Sequence, residues 1–212
     1  MMPPNILDLI EKSMVNRSAE RPLEYSFVWS YLAPLVLLPD AYRYNIKILD
    51  VGGAESRLAK TLAELGFDTT VIDIAEVDYQ PARFVKADLL VYEFPDEMFD
   101  IIIAISTLEH VGLPCYGQRH IDERGDVITM EKIHRWLKPH GLAVITLPYG
   151  KPHHPPTFER VYNKESLKER IISDKWNVLK MDYGCDDNGW RSCSEHETIN
   201  RDAVVMLLLQ KR

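Results

Sequence analysis

The stretch Lys47–Ile48–Leu49–Asp50–Val51–Gly52–Gly53–Ala54–Glu55–Ser56 decides how the rest of the chain is read. Its first half is an apolar run with β-branched residues, the pattern of a buried strand, and it ends in a Gly-Gly turn. Working outward, Ser56 to Leu65 carries leucines at 58, 62 and 65, the spacing of one helix face, and Gly66 follows where a helix end favours a left-handed residue. Strand, glycine turn and helix together aim backbone N–H groups at the carboxyl edge of a sheet, where α/β proteins bind nucleotide-like ligands. The next predicted strand, Asp68 to Ile74, ends in an acid. Asp73 lies about 20 residues beyond the glycines, the separation at which a carboxylate meets the ribose hydroxyls of a nucleoside.

A dinucleotide fingerprint, G-x-G-x-x-G, is not met. Counted from Gly52, its glycine positions hold Gly52, Ala54 and Arg57, and an arginine is too large for the close helix–strand contact of the third. Asp50–Val51–Gly52–Gly53–Ala54 instead resembles the first motif of the class I S-adenosylmethionine (SAM) methyltransferases, acid-x-Gly-x-Gly-x-Gly, with Ala54 and Ser56 at its second and third glycine positions. Further along, Asp88–Leu89 follows a short third strand (Arg83 to Ala87). Phe99 to Ile105 is apolar on both faces, as a central parallel strand must be, and ends at Ser106. Leu108–Glu109–His110 then resembles the "type 11" branch of the same family. Glu109 to Gly117 together with Arg160–Val161–Tyr162 resembles a bacterial group that methylates sugars on glycans and O-antigen chains.

The resemblance spans about residues 46–210. The series of strands and helices by itself says doubly wound α/β. The family adds a Rossmann-like, mostly parallel sheet of seven strands with the last antiparallel. It also implies the cofactor S-adenosyl-L-methionine, with Asp50, Gly52, Gly53, Asp73, Ile74, Asp88, Leu89 and Ser106 around it. In the family an acid at the place of Asp88 contacts the adenine amino group.

Around this core, residues 5–20 place Ile6, Leu9, Ile10 and Met14 on one helical face, an outer helix or lid. Residues 24–38 are aromatic-rich (Tyr25, Phe27, Trp29, Tyr31) and are expected to fill the core near the sheet. Gly125 opens a helix with Val127, Met130, Ile133 and Leu137 on its apolar face; His134 lies there too and is expected to be a satisfied core histidine. A fifth strand covers Leu142 to Leu147, and a helix follows at Lys164 to Ile172. Trp176 to Tyr183 and Ala203 to Gln210 form a closing apolar hairpin around a long insertion, Gly184 to Asp202. Such a length is unusual for a loop without structure of its own, so the insertion is expected to be functional or disordered.

The 212 residues form one expected domain, with residues 1–45 a helical extension or lid and 46–212 the SAM-binding core. A net charge of −7 with no basic run gives no footprint for nucleic acid. Cys115, Cys185 and Cys193, an odd and sparse set, suit free thiols in a reducing compartment. Cys185, Cys193 and His196 match no zinc spacing, so no metal is expected. Neither a signal peptide nor a run of about 18 apolar residues is seen, and a cytoplasmic protein is expected.

These features predict methyl transfer to a hydroxyl of a polar small molecule or glycan. His110 is the candidate general base, since imidazole accepts protons near neutrality. Glu109 is its orienter or a cofactor contact. The polar late segments suggest Tyr149, His153, His154, Arg160, Tyr162 and Trp190 as acceptor contacts, with Trp190 offering a flat face to a sugar. The alternatives are a protein that keeps the fold and binds SAM or a nucleotide without transferring anything, and another nucleotide-linked enzyme such as a dehydrogenase.

Overall fold

In the computed structural model the described residues are 20–152, 156, 158–199 and 201–212. The helix expected over residues 5–20 therefore lies almost wholly outside them, as do His153 and His154. The chain runs α1 (Arg21–Val36), α2 (Asp40–Arg43), β1 (Lys47–Val51), α3 (Leu58–Glu64), β2 (Asp68–Asp73), β3 (Arg83–Lys86) and β4 (Phe99–Ile105). It continues with α4 (Gly125–Trp136), β5 (Leu137–Tyr149), α5 (Lys164–Arg170), β6 (Trp176–Asp186), β7 (Trp190–Cys193) and β8 (Ala203–Lys211).

The strands form one sheet in the order β3-β2-β1-β4-β5-β8-β6-β7. β1 to β5 are mutually parallel. β8 lies antiparallel between β5 and β6, and β7 lies antiparallel on β6. The order reverses at β1/β4, so the crevice of an open α/β sheet falls above the ends of those two strands.

Side-chain alternation separates two cores. Ile48, Ile101, Ile103, Val144, Met206 and Leu208 pack with α1 and α3 on one face. Leu49, Ile102, Ile145, Leu207 and Leu209 pack with Trp136 of α4 and Leu167 of α5 on the other. The central strands are apolar on both faces because helices cover both. The aromatics Tyr25, Phe27 and Trp29 are buried in the first core.

The sheet has eight strands where seven were expected. The additional strand, β7, lies inside the insertion Gly184 to Asp202, so much of that segment is a β-ribbon edge. Its turn is local chemistry: Asn188 and Gly189 take positive φ (58° and 142°), and the Asp186 carboxylate accepts the Gly189 N–H at 2.8 Å. Asn-Gly between two short extended runs is a hairpin signal, and it was readable in the sequence.

Two smaller corrections concern α4 and β5. Extended backbone begins at Leu137, directly after Trp136, and β5 starts five residues before the expected strand. His134 packs edge-on against Trp176 at 5.1 Å, but its Nε2 is buried without a partner, so it is a core histidine that is not fully satisfied. Among the described residues no helix is long and apolar enough to cross a membrane.

Candidate active site

A cavity of about 320 Å³ opens at the carboxyl edge of the sheet, within the size range of small-molecule sites. Residues just beyond β1, β2, β3 and β4 line it, and Arg21 of α1 closes one side.

The base of the cavity is the glycine turn. Gly52 has φ +71°, and a side chain there would collide with Thr107; one at Gly53 would sit 2.6 Å from the Asp50 carboxylate. Both positions are therefore glycine because other residues press on the turn. Asp50 lies beneath it, 2% exposed, accepting the Ser56 hydroxyl at 3.1 Å. Burial pushes its carboxyl up to about 7; the Ser56 hydrogen bond opposes this and the charge of Asp73 adds to it. Asp50 and Gly53, expected beside the cofactor, do not line the cavity and lie beneath and within the turn.

Asp73 is aimed by the backbone. Its carboxylate accepts the Ala54 N–H at 2.9 Å and the Ala75 N–H at 2.8 Å, tying the end of β2 to the turn after β1. Each oxygen retains a lone pair for a ligand hydroxyl. Ala54, at a position where the family motif has glycine, faces the cavity without closing it.

Ile74, Ala75, Ala87 and Leu89 give the next wall an apolar surface, with Asp88 at its edge. Asp88 accepts the Leu90 N–H at 2.9 Å and contacts His120 Nδ1 at 2.8 Å. This wall is fixed from behind by Lys132, which is 5% exposed and donates to the carbonyls of Leu89, Leu90 and Tyr92 at 2.9–3.1 Å. A lysine on the inward face of α4 gives no hydrophobic signal, so sequence patterning passes over it.

The opposite wall depends on Glu24 of α1, which is fully buried. It accepts the hydroxyls of Ser106 and Thr146, both at 2.6 Å, and the Arg21 guanidinium at 3.2 Å. Arg21 also donates to the Ile105 carbonyl at 3.1 Å. These bonds fix α1 over the ends of β4 and β5 and turn Arg21 into the cavity. Ser106 lines the cavity, but its hydroxyl is committed to Glu24. Arg21 and Glu24 lie outside the motif that carries the family resemblance, and nothing in their spacing marks them.

At the mouth stands His110, on the short turn Leu108–His110 after β4. Its Nδ1 lies 2.8 Å from the Phe158 carbonyl and so carries the proton, which leaves the Nε2 lone pair free in the neutral ring. Nε2 is 3.7 Å from the Glu109 carboxyl, beyond a hydrogen bond. Burial lowers the His110 pKa, against the hydrogen bond to Phe158, which raises it. Tyr116 and Phe158 pack against the imidazole with ring centroids at 5.1 and 4.9 Å, and against each other at 5.5 Å, so the three rings form one cluster. Gln118, also on the wall, spends its amide on Gly112 N–H, His110 carbonyl and Cys115.

Glu109 is 1% exposed, its Oε2 has no partner, and burial raises its pKa well above the carboxylate range. It does not line the cavity.

The expected acceptor residues do not converge here. Arg160 is buried and donates to the carbonyls of Glu109, Val111, Asp122 and Glu123 at 2.7–3.2 Å. Tyr162 donates to Asp126 and Tyr149 to Glu195, each at 2.8 Å. Trp190 packs, half-buried, on the core beneath α1. Arg160 holds the loop that carries His110, and none of the four lines the cavity. Among the described residues no three His, Cys, Asp or Glu side chains converge as metal ligands.

A family model described as a methyltransferase domain matches residues 26–201. The chain belongs to the methyltransferase family. Solved structures share its fold at low identity. A SAM-dependent methyltransferase from Mesorhizobium loti has a TM-score of 0.59 at 12% identity, over 92% of this chain and 98% of that one. The N-methyltransferase NodS from Bradyrhizobium japonicum, solved with S-adenosylhomocysteine, gives 0.58 at 14%, over 98% of each chain. A Burkholderia thailandensis 1,6-didemethyltoxoflavin-N1-methyltransferase, solved with its substrate and S-adenosylhomocysteine, gives 0.57 at 14%, over 92% and 91%. No curated protein sequence matches this methyltransferase.

Proposed function

We propose that the protein is an S-adenosyl-L-methionine-dependent methyltransferase acting on a hydroxyl of a small molecule. The observation that carries this reading is Asp73, held by two backbone N–H groups at the rim of a cavity whose base is a glycine turn. The cofactor fits the residues present. Asp73 would accept the ribose hydroxyls, while Ile74, Ala87 and Leu89 would pack on the adenine with Asp88 at its amino edge. Arg21 would meet the carboxylate of the methionyl end beside Gly52. NodS and the toxoflavin enzyme, solved with S-adenosylhomocysteine, support the choice of cofactor.

Bound there, the cofactor supplies an electrophilic methyl group on a sulfonium. The chain's own part is to hold and aim the acceptor, and alignment of this kind supplies much of the rate in displacement chemistry. His110, neutral at pH 7 because burial lowers its pKa, offers Nε2 to take the acceptor's proton. The Phe158 carbonyl fixes its tautomer. Glu109 is not carried forward as a second base: it is buried, does not line the cavity, and its burial raises its pKa well above the ordinary value.

The glycan reading is not carried forward. Of its expected contacts, Arg160, Tyr149 and Tyr162 have their polar groups engaged elsewhere, Trp190 packs on the core, and His153 and His154 lie outside the described residues.

Calorimetry with S-adenosylhomocysteine tests the cofactor half. Micromolar binding that Asp73→Ala weakens about 10- to 100-fold is expected, from the roughly 1.5–3 kcal/mol of a charged hydrogen bond. No binding to the folded protein refutes the proposal. Transfer of label from methyl-labelled cofactor to an extract of small molecules, lost in His110→Ala, tests the catalytic half.

A further inference from the structure

We infer that the acceptor is a flat aromatic hydroxyl compound, a phenol, seated against Tyr116 and Phe158 with its oxygen at His110 Nε2. This deepens the proposed methyl transfer and rests on it.

Three observations lead there. The first is the rim. Tyr116, which lines the cavity, and Phe158, which packs against Tyr116 and His110, are large aromatic rings 59% and 50% exposed. They contact each other and the His110 imidazole, forming one continuous three-ring aromatic cluster beside the candidate base. Ile121, on the loop that follows Tyr116, is 56% exposed as well. Exposed aromatics gathered at one place mark a binding surface more often than scattered apolar residues do.

The second is hydrogen-bond supply. A sugar needs partners for several hydroxyls once water is removed, and each one unmet is costly. Near His110, and apart from Arg21, Asp73 and Asp88 assigned above to the cofactor, several polar side chains are engaged: Gln118 on the backbone and Cys115, Thr107 on the Val51 and Ile105 carbonyls, Ser106 on Glu24, and Arg160 on four carbonyls. His110 Nε2 makes no hydrogen bond with the described residues. One free acceptor in an aromatic surround suits a molecule with one reactive hydroxyl on a flat apolar body, which the rim rings meet edge-to-face or offset.

The third is proton affinity. An imidazole whose basicity is reduced by burial is poorly matched to an aliphatic hydroxyl. A phenol, with a pKa near 10, lies within a few units of it. In the step, the phenol oxygen forms a bond to the methyl carbon as the sulfur–carbon bond breaks, its electron pair staying on sulfur. The O–H proton passes to Nε2. The products are an aryl methyl ether, S-adenosylhomocysteine and a protonated His110, which returns its proton to solvent.

The test uses the full chain loaded with S-adenosylhomocysteine. Phenol and methyl β-glucopyranoside are titrated separately and followed by saturation-transfer NMR, with wild type, Tyr116→Ala and Phe158→Ala compared. Thermal melts confirm that each variant is folded, and calorimetry measures its cofactor affinity. Phenol binding in the millimolar range is expected, with the glucoside at least tenfold weaker. Each variant should lose about three- to tenfold in phenol affinity with cofactor affinity unchanged. Equal or better glucoside binding, no phenol binding by wild type, or phenol binding unchanged in both variants overturns the inference. Absence of cofactor binding in wild type strikes the methyltransferase reading instead, so the two failures are told apart.

Discussion

Replacing Asp50 by asparagine should change how stability depends on pH. The carboxyl lies beneath the Gly52–Gly53 turn, and burial raises it from its ordinary 3.8 to about 7. A raised folded-state pKa means that the folded protein holds this proton more tightly than the unfolded chain does. The associated stability is fully present below the unfolded value, falls as pH rises between the two, and is lost above the folded value. A shift of this size corresponds to about 4 kcal/mol, at about 1.4 kcal/mol per pH unit. An asparagine does not titrate. Its amide keeps an oxygen for the Ser56 hydroxyl, and any penalty for its N–H groups is the same at every pH, so it drops out of the slope. Urea unfolding at half-unit steps from about pH 4 to about pH 8 should therefore show the variant gaining on wild type by about 4 kcal/mol across the window. Parallel profiles for the two proteins would refute the reasoning and mean that Asp50 stays ionised by contacts stronger than burial.

Three further outcomes are expected. Gly52→Val should abolish S-adenosylhomocysteine binding in calorimetry, because φ is +71° there and a side chain meets Thr107; a variant that binds normally would show that the turn yields. Turnover at saturating cofactor should fall on acidification with a midpoint below 6.5, as His110 gains a proton and ceases to be a base. His110→Ala should lose that limb and about 10²-fold or more in rate, and a retained limb would place the titrating group elsewhere. Arg160→Ala should cost about 3 kcal/mol or more in denaturant unfolding by leaving four carbonyls without their donor, and a cost under about 1 kcal/mol would deny Arg160 its role as the loop clamp.

The parallel half of the sheet was legible in the sequence because local pattern and tertiary burden agree there. Lys47 to Val51, Asp68 to Asp73 and Phe99 to Ile105 are extended, and the glycine turn and the acid of Asp73 fall where the strand–turn–helix spacing places them. Asp73, Asp88, Gly52, Ile74, Leu89, Ser106 and His110 all line one cavity. Such residues are readable because each is fixed by its distance along the chain from a strand end, and strand ends are set by short-range apolar runs.

What only the tertiary structure decided are matters of which polar group meets which. Arg160 and Trp190 have the composition of acceptor contacts, but whether a guanidinium faces a ligand or four carbonyls depends on loops that meet only in the folded chain. Arg21 and Glu24 enter the site from a helix outside the motif-bearing region, brought there by hydroxyls 82 and 122 residues downstream of Glu24. The aromatic rim joins Tyr116 to Phe158 across 42 residues of sequence. Hydrophobic periodicity reports which face of an element is buried. It carries no information about hydrogen-bond partners, and in this protein those partnerships separate the residues that brace the loops from the residues that line the cavity.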